Sequence, residues 1–550
     1  MKEKKYYGMP FHLHSCFERQ ASMEGHMYNA QKLGLKYIWF TDHDVRMGRK
    51  KNHIDRFDFE NGLLVDDSDT IKRWYGFRTV KEENFTATLN DTDAFLGSKC
   101  MRLTAKADSD AWMGGTVEFD SSQKRHEVGL PALVTMKIAI KPCNLHEDMR
   151  VIIDIKLSQR PPDFQFGHIR YVLGCTDGLD GENYAVVPIW AASDEWTVLH
   201  CDLTKDAETV GGADNVLQTV SITVEARKGG QAECLIDALE INQCLEFEDA
   251  RRAQQVVADQ LGRVYEITPF VSTEISDSGR DHKIVFSTSV PILNYRERNY
   301  DISHEEGANW VHSHGGIYSL NHPFEFLHRL KRLFSPDEKQ ALIEEATLDY
   351  IQKRMYGATL VEIGYPEGRG QFTLADHLYL WDALSKAGVF ITGYGCSDNH
   401  TNHCSWFDGN NFVAFVGSDN PCEESFVDAM KSGDLYTGDP AMFQGELSYQ
   451  TEEGVMMGKV VRADRAEYTV CFSATEVFTD SKLRMIINGK VAEEVRVEGR
   501  VCYKHKMTVD APVNFARVEL YQGDRCYLLT NPIYFVTDPD IIIPKERQTL

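Results

Sequence analysis

At four places in this chain an apolar run passes at once into imidazole or carboxylate. Phe11-His12-Leu13-His14 opens the series, and Tyr37-Ile38-Trp39-Phe40 runs into Thr41-Asp42-His43-Asp44. Ile317-Tyr318-Ser319-Leu320 runs into Asn321-His322-Pro323, and Val389-Phe390-Ile391-Thr392-Gly393-Tyr394-Gly395-Cys396 into Ser397-Asp398-Asn399-His400. Short continuous apolar runs belong to strands buried on both faces, and polar residues at their C-terminal ends gather at one rim of an α/β barrel. Between the first two runs, Met23, Met27, Ala30 and Leu33 form a helical stripe after Ser22 and before Gly34, which predicts a helix over 22–36. In an extended backbone His12 and His14 share a face, roughly 6–7 Å apart. Alone, such a pair also suits a surface strand; the later strand ends make it half of a metal site.

From about 57 to 241 the text changes to short alternating runs, at 99–106, 133–140, 150–157, 185–190 and 220–226. Alternation with turn residues between predicts an inserted all-β sandwich, and 196–204 with the strands after it resembles the closing strands of galactose-binding-like jelly rolls. Trp112, Trp190 and Trp196 could stack on a sugar there or simply pack. Helical patterning returns at 246–261, a strand around 265–275 ends in Glu274, and Ser335-Pro336-Asp337-Glu338 opens a helix over 335–355. From about 440 short strands resume, at 467–473, 483–487 and 517–521, with a hairpin signal at Asn488-Gly489. The expected organisation is a barrel split into 1–56 and 246–440, an inserted β-sandwich at 57–245, and a C-terminal β-sandwich at 441–550.

The chain of 550 residues has no apolar run near the ~18–20 residues a membrane span needs. No secretory leader is legible before the first histidines, so a cytoplasmic location is expected. Thirteen cysteines without a C-x-x-C pair point to reduced thiols rather than a disulfide framework. A net charge of −24 opposes a sequence-independent grip on nucleic acid.

The ordered set H-x-H-S, T-D-H-D, Glu274, N-H-P and S-D-x-H resembles the PHP (polymerase and histidinol phosphatase) superfamily of metallohydrolases, over residues 6–56 and about 246–436. The inserted jelly roll and A-M-K-S-G-D-L-Y-T-G-D-P at 429–440 look like the branch that includes carbamate-ester hydrolases. The resemblance implies a distorted (β/α)7 barrel holding a trinuclear centre. One metal would fall to His12, His14, Glu274 and Asp398; a second to the bridging Glu274 with His282 and His322; a third to His43, His400 and a residue after His14. The usual place of that last ligand is Arg19 here, and counting back from Ala30 puts Glu18 in register instead.

Imidazole and carboxylate without thiolate suit two or three divalent ions, Zn²⁺, Mn²⁺ or Fe²⁺. Paired metals lower the pKa of a bound water toward ~7 and clamp attacking and leaving oxygens. The reading is a phosphoesterase for a small or sugar-linked phosphate ester, with metal-bound hydroxide as nucleophile and Asp398, His400 or His322 handling the leaving-group proton. Tyr365 and Arg369 follow another strand, and Arg19, Arg280 and His403 are further candidates for substrate contact. His312 and His314 precede a strand rather than end one and suit a helix end. A carbamate, ester or amide hydrolase with the same centre is the alternative; a carbohydrate-binding protein with a non-catalytic barrel is the alternative outside enzymes.

Overall fold

The computed structural model describes residues 5–17, 21–44, 47, 53–57, 59–60, 76–80, 84–120, 128–129, 133–212, 214–243, 247–276, 281–295, 301–324, 327, 333–363, 371–400 and 412–549. Six short strands make the central sheet: β1 Tyr37–His43, β2 Thr268–Ile275, β3 Lys283–Phe286, β4 Ile317–Leu320, β5 Leu360–Glu362 and β6 Thr392–Tyr394, hydrogen-bonded in that order. Pairs β1/β2, β4/β5 and β5/β6 are parallel, whereas β3 runs against both its neighbours. The reason lies in the link from β2 to β3, residues 276–282, which is shorter than the dozen or so residues a parallel crossover needs.

The sheet curls on itself. Leu13 forms parallel bridges to Phe40 on one side and to Asn399 on the other, so the segment carrying His12 and His14 lies between β1 and the chain just beyond β6. The Phe11 ring lies 6.3 Å from Trp39 of β1, 4.9 Å from Phe286 of β3 and 5.4 Å from Tyr394 of β6. In a flat sheet the outer two of these strands would stand more than ~20 Å apart. Phe11, Trp39, Phe270, Ile284, Ile317, Leu360 and Tyr394 form one buried cluster, so apolar side chains from all six strands plug the space inside the curl.

Helices cover the outside. α1, Met23–Lys32, is capped by Ser22, whose Oγ accepts from the Gly25 N–H at 2.9 Å, and it stops at Leu33 because Gly34 turns left-handed at φ +70°, short of the expected end at 36. α2, Phe247–Tyr265, overruns the expected 261, so β2 begins at Thr268 rather than 265. α3 spans His304–Ser313, α4 Pro336–Gln352 and α5 Leu374–Lys386; Ser335 and Glu338 cap α4 reciprocally with Pro336 at its first position, as the sequence predicts.

Between β1 and α2 lie two facing sheets. Tyr184–Pro188, Gln165–Gly174, Met149–Arg160, Thr219–Ala226, Met113–Asp120 and Gly76–Val80 form one, in that order. Thr197–Asp202, Val134–Cys143, Gln231–Gln243, Cys100–Lys106 and Phe85–Asn90 form the other. Val151, Ile153, Ile169 and Ile222 of the first meet Leu103, Ile138, Ile140 and Ile236 of the second in a shared core. His53–Phe57 pairs with Gln231–Gln243, so the expected boundary at 56/57 falls inside a strand of this sandwich.

The boundary at 440/441 is crossed in the same way. A ten-stranded sheet joins Lys5–Met9, Val413–Ser418 and Leu435–Gly438 to the C-terminal strands. The expected strands 467–473 and 483–487 are one strand, Glu467–Ile487, whose register shifts near Val477 and Ser481 interrupt the alternation. Asn488 and Gly489, at φ 49° and 74°, turn it into Lys490–Thr508. No helix among the described residues is long and apolar enough to cross a membrane.

Candidate metal centre

Every strand end named above delivers its polar residue to the same rim. His12 and His14 are fully buried, and the segment is pinned from behind: the Ser15 N–H donates to Asp42 Oδ1 at 2.5 Å, the Ser15 hydroxyl donates to Asp42 Oδ2, and Gln254 Nε2 of α2 donates to that same oxygen at 2.6 Å. His43 ends β1 directly opposite Glu274 of β2. His282 precedes β3, its carbonyl accepting from Asn321 N–H at 2.9 Å, so it stands beside His322. Asp398 and His400 follow β6. His322 and Asp398 hold positive φ, 29° and 46°, a costly backbone for residues with side chains and one that aims them at the rim.

Glu274, fully buried, lies at the centre of the cluster. Its Oε1 is 3.2 Å from His12 Nε2, 3.3 Å from His282 Nδ1 and 3.4 Å from His322 Nε2, while its Oε2 is 3.3 Å from His43 Nε2 and 3.9 Å from His14 Nε2. Asp398 Oδ1 stands 3.1 Å from His12 Nε2, 2.9 Å from His14 Nε2 and 3.4 Å from His400 Nδ1. The rings of His14 and His400 stack at 3.6 Å. Despite this crowding, His12 Nε2 and Glu274 Oε2 are buried and make no hydrogen bond. Buried polar atoms are rarely left so. Ring nitrogens and carboxylate oxygens that converge without hydrogen bonds are the arrangement a cation satisfies, and this imidazole–carboxylate donor set fits a divalent metal ion.

Electrostatics agree with that geometry. Burial opposes the charged form of His12, but Asp398 and Glu274 together outweigh it and hold its pKa well above the ordinary histidine value. Burial likewise opposes the Glu274 carboxylate, and His43, His12 and His282 reverse this, keeping it well below the usual carboxylate range. Asn321 Nδ2 donates to Glu274 Oε1 at 2.8 Å and fixes the carboxylate in place.

Eight of the expected residues, His12, His14, His43, Glu274, His282, His322, Asp398 and His400, are thus brought together. Their nearest groupings differ from the expected partition: His322 shares a group with His12 and Glu274, His282 shares one with His43 and Glu274, and His14, His43 and His400 form another. Glu18, Arg19, Arg280, Tyr365, Arg369 and His403 lie outside the described residues. His312 and His314 sit at the end of α3, where their rings meet the carbonyls of Gly357 and Trp310.

Four residues to which the sequence assigns no role join the site. Asp42 and Asn321 orient the neighbouring ligands, and Glu362 and Cys396 form a group with His12 whose ligand atoms lie within 4.8 Å of one another. Glu362 ends β5 as Glu274 nearly ends β2, so the same strand-end signal was available for it. Of the three tryptophans, Trp112 lies under the guanidinium groups of Arg150 and Arg227, Trp196 donates to Asp93 Oδ1 at 3.0 Å, and Trp190 is 75% exposed.

No family model matches the chain, and no curated protein matches it. Among solved structures, a two-domain protein from Bacteroides vulgatus described as containing a predicted PHP-like metal-dependent phosphoesterase is 12% identical, with 51% of this chain and 79% of that one covered and a TM-score of 0.26. A structure of carbohydrate-binding modules from the β-sandwich superfamily is 17% identical over 34% of this chain, at a TM-score of 0.21, and the match spans 61% of that chain, less than two thirds. The xylan-binding domain CBM22-1 from Paenibacillus barcinonensis is 11% identical over 36% of this chain and 99% of its own, at a TM-score of 0.20. Likenesses this slight leave the chemistry to be argued from the chain's own residues.

Proposed function

We propose that this chain is a metal-dependent hydrolase, and specifically a phosphoesterase. The six strands and the Leu13 segment are taken as the staves of one distorted barrel, with the metal centre at its rim. The observation that carries the reading is Glu274: one buried carboxylate whose two oxygens face five imidazoles, with a ring nitrogen and a carboxylate oxygen left without hydrogen bonds. Glu274, with His12, His14, His43, His282, His322, Asp398 and His400, would hold the ions. Such ions, when bound, supply Lewis acidity and a water nucleophile near neutral pH.

The chain's own residues do the remaining work. His400 and His282, with side chains 18% and 14% exposed, are the most open of the eight and mark the side from which substrate enters. The Asp398 backbone carbonyl lies 2.9 Å from His400 Nδ1, so that nitrogen carries the proton and Nε2 is the nitrogen left to face an ion. An anionic phosphoester suits a centre whose fixed charge is cationic once loaded, because charge on its non-bridging oxygens is met at no cost of reorganisation. Arg280, two residues before His282, and Arg19 and Arg369 are proposed to hold the phosphate, Tyr365 and His403 to contact substrate, and Glu18 to be a further ligand.

Metal analysis of the purified protein, followed by a panel of aryl phosphomonoesters, phosphodiesters, carbamates and carboxylic esters with that metal supplied, tests the reading. We expect phosphoester turnover that disappears in His12→Ala. Turnover of carbamates or esters alone would move the electrophile from phosphorus to carbon, and no bound metal with no turnover would end the hydrolase reading. Trp190 supports a second, independent role, a sugar contact on the inserted sandwich. Retention on a xylan column, lost in Trp190→Ala, is the result to look for.

A further inference from the structure

The set of ligands leaves one strand of the central sheet without a role. β5 lies between β4 and β6 and contributes none of the eight residues, yet it ends on Glu362, fully buried and paired in register with Tyr394. Glu362 Oε2 lies 3.2 Å from Nδ1 of His12, on the opposite side of the ring from Glu274 and Asp398. One imidazole is therefore held between carboxylates at both nitrogens. We propose that Glu362 is a positioning residue for the centre: by accepting the Nδ1–H of His12 it fixes the ring and its tautomer so that Nε2 is the nitrogen presented to the metal.

The chemistry of the contact favours this over a chance buried ion pair. A ring that ligates through Nε2 needs its proton on Nδ1, and a carboxylate there both dictates that tautomer and makes the ring a stronger donor. The neighbouring Cys396 sulfur lies within 4.8 Å of ligand atoms of His12 and Glu362, but a thiol is a weak acceptor beside a carboxylate. The other oxygen of Glu362, Oε1, is buried without a hydrogen bond, so His12 is the one hydrogen-bond partner that holds this carboxylate among the described residues.

The inference rests on the metal-centre reading, and two measurements keep them apart. In ¹⁵N-histidine protein, with and without Zn²⁺, the His12 Nδ1–H resonance should be protected from exchange, vanish in Glu362→Ala and persist in Glu362→Gln, which keeps an acceptor oxygen. In a chelator competition the Zn²⁺ affinity should fall about 10–100-fold in Glu362→Ala and less in Glu362→Gln. An unchanged resonance and affinity in both variants, with affinity lost in His12→Ala, would overturn the role of Glu362 and leave the centre standing. A wild-type protein that binds no Zn²⁺, Mn²⁺ or Fe²⁺ would overturn both. Should Glu362→Ala not fold, the Gln variant still decides, because a merely structural carboxylate would show no step in metal affinity between Glu and Gln.

Discussion

Glu274 shows what a single carboxylate can organise when it is fully buried. Replacing it with glutamine keeps the shape but removes the charge and one acceptor. Glu274→Gln should therefore bind fewer ions per chain by elemental analysis, with the far-UV circular dichroism unchanged. Asn321→Ala, which frees the carboxylate to swing, should cost about 10-fold in metal affinity, at the low end for loss of a hydrogen bond behind a ligand. The direction of the pH dependence follows from His12. Its pKa is held well above the ordinary value in the metal-free protein, so a cation must displace a proton, and apparent affinity rises as pH rises through that pKa. Calorimetric titrations in buffers of different ionisation enthalpy should report proton release; equal heats in all buffers would contradict the assignment. At this scale the histidines were readable because strand ends in one order mark them. Glu362 bears the same strand-end mark, but nothing local in the sequence says that it faces His12.

Helix α1 carries a dependence of the opposite sign. Its first turn rests on Asp214 from the inserted sandwich, whose Oδ2 accepts from Ser22 Oγ at 2.8 Å and from the Glu24 N–H at 2.9 Å. Burial, then the nearby Glu24, pushes the Asp214 carboxyl up to about 6. A carboxyl raised above its unfolded value of ~3.9 stabilises the fold fully below that value and loses the contribution as pH rises through about 6, a change on the order of 3 kcal/mol. Asp214→Asn keeps the acceptor and removes the titration. Urea unfolding should find the variant more stable than the parent at pH 7, with the advantage gone at pH 4; a pH-independent difference would count against the buried acid. Ser22→Ala should cost about 1 kcal/mol at either pH through the lost cap. The cap at Ser22 is legible in the sequence, but its partner 192 residues away is not.

At the scale of the molecule, the inserted sandwich has a core of its own, sharing no residue with the cluster inside the curled sheet. Ligands that bind only the folded state stabilise it by mass action. Chelation should therefore lower the calorimetric transition of the central sheet and leave that of the sandwich in place; a single transition that moves as a whole would mean the two cores unfold together. The sequence by itself determined the α/β class, the all-β character of the insert, the caps of α1 and α4 and the Asn488-Gly489 turn. All of these are local: a period of apolar residues, a turn dipeptide, or a capping side chain. Only the tertiary structure decided that β3 runs antiparallel, that Lys5–Met9 and His53–Phe57 join sheets assembled from distant parts of the chain, that Phe11 plugs a curled sheet, and that Glu362 stands behind His12. These depend on pairing between segments far apart in the chain, chosen by which surfaces bury one another, and no periodicity within either segment records that choice.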